Sequence, residues 1–185
     1  MSYIISTDST ADLPASYVKE HGIAVQFLSY AFGDEVYGMD TQLDPHDFYE
    51  RMRSGAMPTT NACIPAEVQT SFESYLKEGY DILHISFSSG LSSSYNNARI
   101  AANELVEQYP ERKIVMVDSL CASLGQGLFV HYAVTMKEQG KSLEEVAAWL
   151  EENKLHLCHW VTVDDLSHLK RGGRISATSA IVGSM

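Results

Sequence analysis

Clustered serines follow a strand-like run in residues 81–98, whose sequence is DILHISFSSGLSSSYNNA. The run DILHISF predicts a buried strand, and we expect a helix to open near Ser92. Backbone N–H groups at a helix start, together with the hydroxyls of Ser92 and Ser93, form a neutral binding site for an anion. The other interpretation is that these serines only cap the helix, and both stay open at this point.

The spacing of this unit argues against cleavage of a bound group. A nucleophile elbow requires G-x-S-x-G, whereas Gly90 and Ser92 are followed by further serines. A P-loop requires Gly-Lys-Ser/Thr, which does not follow here. We therefore expect an anion to be held in this stretch and not hydrolysed.

A second group of donors lies at Pro58-Thr59-Thr60-Asn61, between two predicted helices. Two adjacent hydroxyls beside the amide of Asn61 can donate to a carboxylate or a phosphate. The same residue types are common in turns and caps, so this stretch alone is weak evidence for a ligand site.

A third candidate is residues 169–176, LKRGGRIS, which places three of the thirteen cations within five residues around two glycines. Glycine permits close approach of a ligand to the backbone, and the Arg174 fork pairs well with carboxylate or phosphate. A solvated loop that balances Asp164 and Asp165 is the other interpretation.

The histidines do not predict a metal site. His156, Cys158 and His159 fall within four residues, but on a strand His159 points away from the other two. His84 lies inside the predicted buried strand and is interpreted as a satisfied core residue. We therefore expect neither a metal nor any other cofactor, and no catalytic residue.

Short β-rich runs alternate with amphipathic helical stretches, which predicts an α/β fold with a mainly parallel sheet flanked by helices. The opening turn, residues 8–14 (DSTADLP), would then lie at the carboxyl end of the first strand, where such sheets bind ligands, or it simply caps a turn. The predicted strands are residues 3–7, 23–32, 81–87, 114–117 and 155–163. The predicted helices begin at Pro14 and cover 45–53, capped by Asp44, then 65–77, 95–109, 123–138, 143–151 and 176–185.

The formal charge of −11 argues against nucleic acid and anionic lipid surfaces as partners. No apolar run approaches the ~20 residues of a membrane helix, and the N-terminus does not resemble a signal peptide. Three scattered cysteines make structural disulfides improbable, so we expect a cytoplasmic protein without integral membrane association.

The ordered motifs DSTADLP, PTTNACIP, SSGLSSSYNNA, VDS and LKRGGRIS together resemble the DegV family along the whole chain. The resemblance implies two α/β lobes with an apolar tunnel for one fatty acid between them. It implies that Thr60 and Ser92 hold the ligand carboxylate, and that Arg174 lies at the same polar end or at a partner-docking surface. Asn61 replaces a serine that is usual in the family. Some members present the acyl group to a separate kinase, so a kinase is an implied partner.

By this resemblance, residues 1–153 form an N-terminal lobe and residues 154–185 begin a second lobe that is not completed. An exposed apolar face would then favour self-association. Thr60, Asn61, Ser92, Ser93 and Arg174 are the predicted ligand-binding residues of a fatty-acid carrier that is not an enzyme. The alternative is an enzyme or binder for a small phosphorylated or carboxylate metabolite, with the serine-rich helix start as the anion clamp.

Overall fold

The computed structural model of the chain describes residues 2–163 and 166–176. Its centre is a parallel four-stranded sheet in the order β2-β1-β6-β7, which confirms the predicted α/β fold with a mainly parallel sheet. All six residues of β6 are buried, because this strand has a neighbour on each side and helices over both faces. The strands of this sheet are β1 (Tyr3–Asp8), β2 (Ala24–Gln26), β6 (Asp81–Ser86) and β7 (Ile114–Asp118).

Two apolar clusters pack against opposite faces of the sheet. One joins the sheet to α5 and α6 through side chains such as Phe129 and Leu150, and the other joins it to α3 and α4 through Phe72 and Leu105. The helices in chain order are α1 (Ala15–Glu20), α2 (Pro45–Arg53), α3 (Pro65–Lys77), α4 (Ser94–Gln108), α5 (Leu124–Glu138), α6 (Leu143–Asn153) and α7 (Leu166–Arg171).

A second, antiparallel sheet of three short strands has the order β4-β3-β5. The Tyr30 ring stacks on Tyr37 at 5.1 Å and meets the Phe48 ring of α2 edge-on at 5.1 Å. These aromatic pairs give the small sheet a core of its own. Its strands are β3 (Ser29–Phe32), β4 (Glu35–Tyr37) and β5 (Thr59–Asn61).

Most predicted helices are confirmed, including the cap of α2, where the Asp44 carboxylate accepts a hydrogen bond from the His46 amide. Residues 23–32 are β-rich as predicted, but they form two strands, β2 and β3, which belong to two different sheets. The strand predicted for residues 155–163 is wrong. It is a turn and irregular chain, with Leu155 78% and Trp160 97% exposed.

Some predictions rest on residues outside the described part of the chain. They are the loop that balances Asp164 and Asp165, and nearly all of the helix predicted for 176–185. The division into lobes at residue 153 stays a prediction. Within residues 2–163 and 166–176, no helix has both the length and the apolar character needed to span a membrane.

Helix α5 approaches the chain that follows β1 so closely that only glycine fits at position 127. A Cβ atom there would lie 2.6 Å from the Ala11 carbonyl oxygen and 3.2 Å from a methyl group of Leu13. We expect Gly127→Ala to lower the free energy of unfolding by about 1–3 kcal/mol, because backbone must move to accept the methyl group. Urea unfolding checks this.

Gly125→Ala in the same helix is the matched control. Its Cβ would meet the exposed side chain of His159, at 3.2 Å, and this side chain can move away. We therefore expect Gly125→Ala to lose less stability than Gly127→Ala. Equal stability of the two variants would contradict the close approach of α5 to Ala11.

All three cysteines are free thiols, and they differ in their exposure to solvent. Burial, with a contribution from the negative charge of Asp8, raises the pKa of Cys63 to about 11, and burial also raises the pKa of Cys121. Cys158 is exposed. Since the thiolate is the reactive form, we expect a maleimide near neutral pH to label Cys158 rapidly and the other two only after unfolding.

Peptide mass spectrometry of the labelled chain identifies which thiols react. Cys158→Ser should abolish the rapid phase while leaving the two slow thiols unchanged. Rapid labelling of Cys63 or Cys121 in the folded protein would contradict their burial.

Candidate functional site

A cavity of about 1060 Å³ lies at the carboxyl ends of the parallel strands, beside the small sheet. Its wall is formed by the chain that follows β1, β6 and β7, by β3 and β5, and by residues near α7. The carboxyl end of a parallel sheet is where α/β folds place their ligands. Apolar side chains of this wall are Phe27, Leu28, Met57, Phe87, Leu91, Val161 and Val163.

The loop after β6 brings Ser92 into this cavity. The Ser92 Oγ accepts a hydrogen bond from the Ser94 amide at 3.1 Å and lies 2.9 Å from the Ser94 Oγ. Helix α4 begins at Ser94, with Ser93 as its N-cap, so the helix starts later than the predicted opening near Ser92. The Ser93 side chain is exposed and is not part of the cavity wall.

The loop of residues 58–63 is fastened to the start of α4. The buried Ser94 Oγ accepts from the Cys63 amide at 3.3 Å, and the Asn97 side-chain amide donates to the Cys63 carbonyl at 2.8 Å. Both predicted anion-binding loops are therefore held beside each other by one pair of side chains. Sequence reasoning missed Ser94 and Asn97, although both lie within the motif SSGLSSSYNNA.

Thr60 and Asn61 end up on β5, where Thr60 pairs with Tyr30 of β3. Both residues are exposed and line the cavity. The Asn61 side-chain amide donates to the Ser29 Oγ at 3.3 Å, so it is already engaged within the small sheet. The hydroxyls of Thr59 and Thr60 on this strand are further donors that line the cavity.

Arg174 lines the same cavity from the other side of the loop after β6. Its Nε donates to the Leu91 carbonyl at 3.2 Å and its Nη1 to the Gly172 carbonyl at 2.6 Å. These bonds hold the guanidinium next to the SSGL segment. The structure thus brings Thr60, Asn61, Ser92 and Arg174 to one cavity.

The chain that follows β1 contributes Ser9, Thr10 and Asp12 to the wall, while Asp8 lies fully buried beneath it. Burial raises the pKa of Asp8, but the His84 imidazole, the Phe87 amide and the Ser86 hydroxyl outweigh burial and lower it overall. The prediction that His84 is buried in the core is confirmed. Its hydrogen bonding is incomplete, since only Nδ1 has a partner, the Ser6 Oγ at 3.0 Å.

In the described part of the chain, no group of three or more His, Cys, Asp or Glu side chains is placed to hold a metal ion. His156, Cys158 and His159 are all exposed, and His159 lies 3.6 Å from the Cys121 sulfur. Besides the Asp12 carboxylate and the His168 imidazole, the polar groups of the cavity wall are hydroxyls, amides and the guanidinium groups of Arg171 and Arg174. These hydroxyls, amides and guanidinium groups suit an anion.

Solved structures share this architecture. A DegV family protein from Thermus thermophilus, described as binding fatty acid, is 34% identical with a TM-score of 0.86, over 100% of this chain and 64% of that one. A stearic-acid-binding protein from Eubacterium ventriosum is 26% identical with a TM-score of 0.86, over 99% of this chain and 64% of that one.

Sequence comparison agrees with the structural one. A DegV domain-containing protein from Clostridium perfringens is 48% identical over 185 residues, which are 99% of this chain and 64% of that protein. The chain therefore spans less than two thirds of the length of this relative. The model of the DegV family matches residues 2–185. The chain belongs to the DegV family.

Proposed function

We propose that the chain binds a long-chain fatty acid, with the carboxylate at Thr60, Ser92 and Arg174 and the tail along the apolar wall of the cavity. The observation that carries this proposal is the presence of those three donors in one cavity of about 1060 Å³ whose exposed wall surface is mostly apolar. Related solved structures from Thermus thermophilus and Eubacterium ventriosum, described as fatty-acid-binding and stearic-acid-binding, support it.

The hydrogen bonds around Ser92 support its role as a donor. Its Oγ accepts from the Ser94 amide and, when the Ser94 hydroxyl donates, from that group as well. Ser92 then keeps its own proton for an oxygen of the ligand. A Thr60 hydroxyl and a guanidinium complete a donor set for a monoanion, and donors to a charged oxygen form stronger bonds than neutral pairs.

The tail supplies most of the affinity in this proposal. Each buried CH₂ group contributes about 0.8 kcal/mol, so a long acyl chain outweighs a few hydrogen bonds. The donors fix orientation and select an acid over other lipids of the same length. A small phosphorylated or carboxylate metabolite is not favoured, since it would leave the apolar wall uncovered.

The chain performs no chemistry on its ligand in this proposal. The Ser92 hydroxyl contacts another serine hydroxyl, whereas a serine nucleophile requires a base within hydrogen-bonding distance. A carrier of this kind itself holds no metal or other cofactor and acts in the cytoplasm. It presents the carboxylate to a separate kinase, which performs the phosphorylation.

Thr60→Ala combined with Ser92→Ala should weaken fatty-acid binding by about 10- to 100-fold, because hydrogen bonds to a charged group are removed. The Kd for oleic acid and for the alcohol of the same chain length is measured by competition with a fluorescent fatty acid. The alcohol should bind the parent and the double variant equally.

Ser93→Ala is the matched control, since this serine is exposed outside the cavity and its loss should leave both affinities unchanged. Undiminished binding of oleic acid to the double variant would show that the carboxylate lies elsewhere. Equal affinity of the parent for acid and alcohol would reject a carboxylate site altogether.

A further inference from the structure

The loop after β6 leaves the sheet between two carboxylates. Strand β6 pairs with β1 on one side and β7 on the other, and these flanking strands end in Asp8 and Asp118. The registers place Thr7 beside Ile85 and Asp118 beside Ser86, so all three strands end at the same level. The two aspartates therefore flank the point where the loop with Ser92 begins.

Consecutive amides of this loop are bound to the flanking segments. The Phe87 amide donates to the Asp8 Oδ2 at 2.6 Å, and the Ser89 amide donates to the Asp118 Oδ1 at 3.1 Å. Between them, the Ser88 amide donates to the Cys121 carbonyl at 3.0 Å. These three N–H groups are thus occupied within the protein and are not available to a ligand.

Asp8 also accepts from the Ser86 hydroxyl at 2.8 Å, and its side chain is fully buried. A buried carboxylate beneath an anion site would repel the ligand unless a cation compensates its charge. The equally buried His84 imidazole is placed to compensate that charge when protonated, with its Nε2 3.5 Å from the Asp8 Oδ1. Among the described residues, these two atoms are the buried side-chain atoms without a hydrogen-bond partner.

We propose that Asp8 and Asp118 are positioning residues for carboxylate recognition, which hold the loop after β6 by its amides so that the Ser92 hydroxyl faces the ligand. The His84 imidazole faces the Asp8 carboxylate and compensates its charge when protonated. Neither aspartate touches the ligand. This inference rests on the proposed binding of a fatty acid by its carboxylate.

Asp8→Asn keeps the size of the side chain and one acceptor but removes the charge. We expect its affinity for oleic acid to fall about tenfold, because a weaker bond lets the loop move away from the donor geometry. Affinity for the alcohol of the same length should stay unchanged. The amide proton of Phe87, recorded by NMR without ligand, should move upfield because it loses its bond to a carboxylate.

Asp118→Asn is the second variant, and it is tolerated more readily because Asp118 is only partly buried. This variant should also bind oleic acid more weakly than the parent, and here the amide proton of Ser89 should move upfield. Asp34→Asn removes the same charge from an exposed turn and is the control, with no change expected.

Equal losses for acid and alcohol in Asp8→Asn would overturn the proposal, since they would indicate a general structural role. Unchanged acid affinity in both variants would overturn it as well. If the parent does not bind the acid more tightly than the alcohol, the proposed function fails. The amide shifts of Phe87 and Ser89 in the ligand-free variants then still test whether the two carboxylates hold the loop. Unmoved resonances would reject this hold on the loop.

Discussion

Parallel backbone pairing of β6 with β1 and β7 fixes where three segments of the chain leave the sheet. Because the registers align their carboxyl ends, the turn after β1, the serine-rich loop after β6 and the turn after β7 meet at one edge. The apolar clusters on both faces keep this pairing in place. The polar contacts that hold the loop after β6 are built on that alignment.

The small antiparallel sheet supplies the opposite wall of the cavity, and one buried serine joins the two parts. Ser94 contacts Ser92 in its own loop and the Cys63 amide in the loop that follows β5. The position of Thr60 relative to Ser92 therefore depends on a contact at the start of α4, behind the cavity wall. A head-group site of two separate loops needs such a link, because loops alone do not hold donors within hydrogen-bonding distance of one ligand.

The sequence predicts the parallel sheet and the helices well because they follow hydrophobic periodicity, a local signal. It does not predict the β3-β4-β5 sheet, whose strands are three or four residues long and in which β5 pairs with β3 over a long sequence separation. For residues 155–163, the sequence instead predicts a strand that the structure does not contain. Their β-branched and aromatic types, such as Val161 and Trp160, are typical of strands, but propensity does not supply a neighbouring strand to pair with.

The candidate site residues also divide into those that the sequence predicts and those that it does not. Thr60, Ser92 and Arg174 come from recognisable motifs, and the structure gathers them at one cavity. Ser94 and Asp8 also lie within such motifs, but the motifs do not indicate their roles or that of His84, because these depend on partners far along the chain. The contact between His84 and Asp8 joins residues 76 positions apart by number, and it follows only from the pairing of β1 with β6.

Charge is the remaining difficulty for a chain of net charge −11 that is proposed to hold an anion. The local arrangement answers it, since charges more than a Debye length away are screened and nearby dipoles decide. The carboxylates closest to the loop after β6 are occupied by its own amides and, at Asp8, by His84. The guanidinium of Arg174 is held against the same loop. An anion beside the loop after β6 would therefore meet hydroxyls and a guanidinium, with Asp8 and Asp118 already engaged behind them, while Asp12 in the cavity wall accepts a hydrogen bond from the Ser123 hydroxyl.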